Sequence, residues 1–298
     1  MNLRRLHMFR RIALFLMINI LVVATISVVL SVLGVRPYLT TYGLDLEALA
    51  IFCLVWGMVG SCISLALSRK MAKWLMRVKL VGPDHEVYKM VARLARDANL
   101  PDTPEVGIFD SPQMNAFATG PTKRRSLVAV SSGLISQMEK GELEAVLAHE
   151  VSHISNGDMV TMTLIQGIVN AFVMFLARVL AYAVTSASRS NNRRFSYGSY
   201  YLFTILFEIV FMIAGTLVVT AFSRMREYRA DRGAAILTRK EQMIAALERL
   251  KGVRTPTETK KSAMNALMIS MPRRGMGLFS THPSLDARIE RLKELPGR

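Results

Sequence analysis

The sequence predicts an α-helical membrane protein with an α+β cytoplasmic domain built around a small β-sheet. Three observations carry that fold class: apolar runs of membrane-crossing length, basic residues gathered at their flanks, and short strand-like pieces alternating with amphipathic helices between them. Composition agrees. Of 298 residues 51% are hydrophobic and the mean hydropathy is +0.30, yet the formal net charge is +16. Such charge can also mark a nucleic-acid surface, but no aromatic-interleaved basic stripe or nucleic-acid motif is present. The expected partner is the lipid bilayer, with no nucleic acid.

Four apolar runs set the membrane topology. Residues 12–35 carry no charge, and residues 46–67 are interrupted only by Glu47 at the rim. Residues 162–184 contain Asn170 and Arg178, and residues 201–222 contain Glu208. Each suffices for a helix across a hydrocarbon core of about 30 Å. A lone charge there is costly, so Arg178 and Glu208, at similar depth in an antiparallel hairpin, are expected to pair. The first run lacks the small-residue cleavage pattern of a signal peptide.

Orientation follows from the flanks. Arg4, Arg5, Arg10 and Arg11 precede the first run, and Arg69, Lys70, Lys73, Arg77 and Lys79 follow the second. The positive-inside rule then puts both termini and the polar middle in the cytoplasm. Arg189, Arg193 and Arg194 oppose it on the outer side, while Arg224, Arg226, Arg229 and Arg232 restore it. The expected organisation is a membrane hairpin at 1–77, a first domain part at 78–160, a second hairpin at 161–222 and a second part at 223–298. Cys53 and Cys62 both fall in the second run, so no disulfide framework is indicated.

The polar middle reads as helix over 84–99, with Val87, Val91, Leu94 and Ala95 on one face, then strands over 105–110, 115–119 and 126–131. A turn at Gly120–Pro121 and 122–125 joins the last two. Residues 140–156 form a helix closed by Gly157. Past the fourth run, Thr238 and Glu241 suggest a capping box for a helix stopped by Gly252, and residues 255–261 read as a basic linker.

The chemistry lies in "AVLAHEVSHISNGD", residues 145–158. The chain has five histidines, and His149 and His153 stand four apart, so both imidazoles project from one helix face toward one ion. Glu150 sits one residue round, able to touch a water without being a ligand. That is the H-E-x-x-H arrangement, two ligands plus a carboxylate base. The alternative is a pair of histidines that merely flank a helix face. The pattern arises by chance in roughly one chain of this size in a hundred, and its helical setting favours the metal.

A catalytic site needs a third ligand. In "SRMREYRADRGAA", Glu227 and Asp231 share a helical face. Glu227 is the candidate ligand, and Asp231 the candidate acceptor for the far nitrogen of a metal-bound histidine. Glu144 and Asp158 are next in line as ligands. A solvated, arginine-paired helix is the competing account of these acids.

"HEVSH", "EYRAD" and the late "STHPSLDARIERL", in that order, resemble the HtpX family of bacterial membrane-bound zinc metalloproteases, relatives of the CAAX prenyl endopeptidases. The resemblance covers essentially the whole chain and makes the cytoplasmic part a gluzincin-type metalloprotease domain with zinc-binding helices. It implies one zinc ion on His149, His153 and Glu227, with Glu150 as base. It also implies that Asn115, Ala116, Phe117 and Ala118 form an edge strand pairing with substrate, and that His282 helps stabilise the oxyanion with Arg288 as support. The function implied is an endopeptidase of the bacterial inner (cytoplasmic) membrane, cleaving damaged or misassembled membrane proteins and unfolded polypeptides on the cytoplasmic side. A homo-oligomer is compatible with it.

Two other classes compete. In an intramembrane protease the H-E-x-x-H would lie within a span, whereas here "SNGD" separates it from the third run. A non-catalytic membrane protein with structural zinc would have no use for Glu150 beside its first histidine.

Overall fold

The computed structural model describes residues 22–35, 37–40, 43–187, 197–252 and 280–296. Residues 12–21 of the first apolar run, Arg4, Arg5, Arg10, Arg11, Arg189, Arg193, Arg194 and the 255–261 linker lie outside them. Along the chain run α1 (Val22–Val32), β1 (Leu39–Thr40), β2 (Gly43–Leu44), α2 (Leu46–Leu75), β3 (Lys79–Leu80) and α3 (Glu86–Asp97). Then follow β4 (Glu105–Phe109), β5 (Ala116–Thr119), β6 (Leu127–Ser131), α4 (Ser132–Gln137) and α5 (Lys140–Asn156). The last are α6 (Asp158–Ala187), α7 (Tyr197–Leu237), α8 (Lys240–Gly252) and α9 (Leu285–Lys293). The chain divides into two compact units, Met1–Ser64 with Thr163–Thr216, and Leu65–Met162 with Leu217–Arg298.

The first unit is apolar outward. α2, α6 and α7 are long and apolar enough to cross a membrane, and only 11–22% of their most apolar windows is buried. Phe172, Ile205 and Ile209 stand more than half exposed. Water would penalise each such side chain by about 1.5–3 kcal/mol relative to burial, so these faces fit lipid. The pairing expected from sequence forms. Arg178 Nη1 donates to Glu208 Oε1 at 2.6 Å and also to the Met174 carbonyl at 3.0 Å. The two cysteines are free thiols.

The second unit is built on a four-stranded sheet of order β3-β4-β6-β5, with β4 and β6 parallel and the outer pairs antiparallel. β6 is buried along its whole length, which suits its unbroken apolar sequence Leu127–Val130. α5 packs against β5, α3 and α8, and α9 against α8. Val91, Leu94, Val128, Val130, Leu147 and Ile154 are fully buried at their centre, with Val87 and Ala95 on the same face of α3 as expected. β5 pairs only with β6 among the described residues and forms one edge.

Two expectations are refined. α7 is unbroken from Tyr197 to Leu237, so the change from apolar to arginine-rich sequence at residue 222 falls inside one helix. The Thr238–Glu241 capping box does not form: the Thr238 hydroxyl donates to the Ala234 carbonyl at 2.8 Å, finishing α7 rather than starting α8. Threonine can satisfy a carbonyl four residues back as readily as cap the next helix.

The membrane ion pair gives a direct test. Arg178→Glu and Glu208→Arg should each lower the folded, membrane-inserted yield, because each leaves like charges facing in an apolar setting. The double swap should recover part of it, measured by detergent-extracted monodisperse protein. A double variant no better than the worse single one would show that the pair contributes nothing.

Candidate metal centre

Two helices supply the cluster, α5 with His149, Glu150 and His153, and α7 with Glu227 and Asp231. The start of α5 is fixed by Glu142, whose carboxylate accepts the Glu139 backbone N–H at 3.0 Å. Its end is fixed by Gly157, which adopts φ 71°, a left-handed conformation that costs glycine least. Glycine matters again at Gly233 of α7, where an added Cβ would lie 2.4 Å from Ser152 Oγ. That position lets α7 pass close to α5 beside the histidines.

The imidazoles meet nearly at right angles, with Nε2 of His149 and Nε2 of His153 3.1 Å apart. Glu227 Oε2 lies 3.5 Å from the first and Glu227 Oε1 3.4 Å from the second. Donors about 2.0–2.1 Å from a tetrahedral ion stand about 3.3 Å apart, so these separations suit three corners of one coordination shell. Both Glu227 oxygens are buried, faced by the two imidazoles, by His282 Nδ1 at 2.8 Å and by Arg288 Nη1 at 3.7 Å. A buried carboxylate needs donors or a cation. His149, His153 and Glu227 therefore form a set that could hold one metal ion.

A carboxylate backs each histidine. Asp231 Oδ1 lies 3.0 Å from His149 Nδ1, and Arg288 grips Asp231 with two bonds of 2.8 and 2.5 Å. Asp158 Oδ2 lies 2.6 Å from His153 Nδ1, and its Oδ1 accepts from Arg229 Nη2 at 3.2 Å. Each acceptor directs its imidazole to turn Nε2 inward. Asp231 thus stands behind His149, and Asp158 behind His153 rather than beside it as an alternative ligand. Glu144, the other alternative, pairs with Arg93 instead. The sequence signal for Asp158 was its position five residues after His153, just past the glycine that turns the chain.

Electrostatics point the same way. Burial disfavours a charged His149, but Asp231 and Glu227 outweigh it and lift the pKa to about 9. His153 is raised against burial by Asp158 and Glu227. Burial would raise Glu227, yet the histidines and His282 hold it well below the usual carboxylate range. Asp231 is likewise brought down to about 2, chiefly by Arg288 working against burial. The cluster favours positive charge between imidazoles and carboxylate, which protons on the imidazoles or a bound cation would supply.

The remaining sequence candidates fall around this cluster. Glu150 is 4% exposed, and its charge acts on Arg288. His282 brings Nδ1 within 2.8 Å of Glu227 Oε2, so its nearest neighbour is the candidate ligand. Arg288 is 1% exposed and also reaches to 3.5 Å from His149 Nδ1. Asn115, Ala116 and Phe117 have buried side chains, and Phe117 packs on Phe109 at 5.7 Å between ring centres. What β5 offers outward is its backbone edge.

The family model of peptidase family M48 matches residues 83–296. The chain belongs to peptidase family M48. Relatives extend the likeness over nearly all of this M48 chain. A protease HtpX homolog of Bacillus subtilis is 51% identical over 300 residues, spanning 96% of this chain and 99% of the relative. A second homolog, from Methylacidiphilum infernorum, is 44% identical over 97% of this chain and 100% of the relative. The protease HtpX of Thioalkalivibrio sulfidiphilus is 46% identical over 96% and 99%. In fold the chain is similar to the crystal structure of Ste24p from S. mikatae, with TM-score 0.64 and 18% identity over 96% of this chain. It spans 65% of that protein's length. This M48 chain is a metal-dependent protease of the membrane.

The geometry ranks the effects of substitution. Asp158→Ala and Asp231→Ala should each weaken metal binding by about tenfold to a hundredfold, the usual cost of losing an orienting carboxylate. Glu227→Ala should weaken it further. Competition with a chelating dye measures all three, and tight binding by Glu227→Ala would move the third ligand elsewhere.

Proposed function

We propose that the protein is a zinc endopeptidase of the bacterial inner (cytoplasmic) membrane. It would cleave damaged or misassembled membrane proteins, and unfolded polypeptides, on the cytoplasmic side. The observation that carries the reading is the convergence of His149 Nε2, His153 Nε2 and Glu227 within 4.8 Å, with Glu150 on the adjoining position of α5. Two imidazoles and a carboxylate form the donor set of a catalytic zinc site with an open fourth position. Bound there, the ion would act as a Lewis acid toward a carbonyl and a water.

The chain's own residues divide the remaining work. Glu150 accepts a proton as water oxygen attacks the scissile carbonyl carbon, and returns it to the amine as the C–N bond breaks. His282 is the donor assigned to the developing oxyanion, held beside Glu227 by the same loop that leads into α9. Arg288 supports the site through Asp231. The edge formed by Asn115 and by Ala116 to Ala118 of β5 would add an extended substrate as a further strand. Its side chains are largely buried, which supports recognition of backbone over sequence and so suits varied, unfolded substrates.

The membrane setting rests on α2, α6 and α7, and the cytoplasmic side on the basic flanks Arg69–Lys79 and Arg224–Arg232. The buried, sheet-packed position of α5 argues against cleavage inside the bilayer by a spanning H-E-x-x-H helix.

Glu150→Gln separates base from ligand. The variant should keep its metal and lose casein digestion in detergent by at least about a hundredfold, with a chelator abolishing the activity of the parent protein. Retained proteolysis in metal-loaded Glu150→Gln would overturn the role given to Glu150.

A further inference from the structure

Behind the metal cluster, within the second unit, lies a cavity of about 600 Å³. That is the size of a small-molecule site. Its lining contains four arginines, Arg229, Arg232, Arg288 and Arg291, against one acid, Asp231. Asp231 is already taken by Arg288 and His149. Arg232 has no carboxylate partner among the described residues, and Arg291 lies 4.5 Å over the Tyr228 ring with none either. With Arg229 on Asp158 and Arg288 on Asp231, the guanidiniums of Arg232 and Arg291 leave the cavity a net positive lining.

Its remaining wall is apolar, from Phe222 and Met225 of α7 and from Leu292 and Leu295. Phe222 and Met225 are 42% and 57% exposed, a poor arrangement in water. On α7 the order is directional. Phe222, Met225, Arg229 and Arg232 recur at three- and four-residue steps and so share one helix face. The apolar pair continues the membrane-crossing run, and the arginines follow about one turn later, roughly 6 Å along the axis. Passing from hydrocarbon to charge in that sense matches a lipid whose acyl chain meets its phosphate at the membrane boundary.

We infer that this cavity binds one anionic phospholipid, the phosphate among Arg229, Arg232 and Arg291 and an acyl chain along Phe222 and Met225. Arginine suits the phosphate because its planar fork offers paired donors. The site also touches the metal cluster. Arg229, with a side chain 61% exposed, holds Asp158, which orients His153. A phosphate drawing on Arg229 would share that guanidinium with Asp158 and so alter the support of His153. The coupling rests on the ligand role proposed for His153, whereas lipid binding does not.

The test uses the purified full-length protein in nanodiscs and native mass spectrometry of retained lipid, comparing phosphatidylglycerol with phosphatidylcholine. The parent should retain one phosphatidylglycerol preferentially. An Arg232→Gln/Arg291→Gln double variant should weaken that preference by roughly twenty-fivefold, at about fivefold per arginine near an anionic headgroup. Arg232→Lys/Arg291→Lys should retain most of it, which controls for folding, and Arg124→Gln/Arg125→Gln in the exposed β5–β6 turn should leave it unchanged. Metal content should be the same in all of them. Equal retention of both lipids by the parent, or equal losses from both Gln variants, would overturn the proposal. So would displacement of the lipid by millimolar inorganic phosphate, which would make this a site for the free anion. An unchanged lipid preference with a raised KM for peptides bearing a free C-terminal carboxylate would assign the cavity to substrate and also overturn it.

Discussion

Everything in the second unit depends on one constraint, the burial of three carboxylates, Glu227, Asp231 and Asp158, each 2% exposed or less. Ionised acids are tolerated in such a place only when paired and hydrogen-bonded. Two arginines and two histidines meet that need from outside and inside the cluster respectively, and Glu227 faces the imidazoles with His282 Nδ1 2.8 Å from its Oε2. Removing one partner from such a buried set typically costs about 3–5 kcal/mol. The cluster thus ties α5, α6, α7 and α9 to a common point, and the same residues that would hold the ion also stabilise the fold.

The frame around the cluster follows from that. α5 is the most buried helix of its unit, locked by its capping glutamates and by Gly157, which lets Asp158 turn back onto His153 within one residue. α7 reaches α5 through the glycine at 233 and carries its acids beyond its membrane-length apolar run without a break. Among the described residues β5 pairs on one side only, with β6.

Local patterns with short range were legible in the sequence. The i, i+4 spacing of His149 and His153, the shared face of Glu227 and Asp231, the αL glycine at 157 and the Arg178–Glu208 pair all depend on helix geometry alone, and all take the expected form. The limits of α5 and of β4, β5 and β6 lie within a residue or two of expectation, because apolar periodicity defines them. What could not be read was long-range or competitive. Arg229 and Asp158 meet across 71 positions, and nothing in either neighbourhood names the other. His282 approaches Glu227 through a tertiary turn, so its nearest contact was out of reach of motif reasoning. Thr238 had two local partners available, and the choice of Ala234 was made by the continuation of α7.

The central claim, that one ion is held by two imidazoles and a carboxylate, is most directly tested by X-ray absorption at the zinc edge on the purified full-length protein. The account predicts one zinc per chain with two imidazole ligands, the other donors being oxygen, and no sulfur shell at about 2.3 Å. A third imidazole would contradict it by putting His282 in the place assigned to Glu227, and a sulfur shell or the absence of stoichiometric metal would contradict it outright.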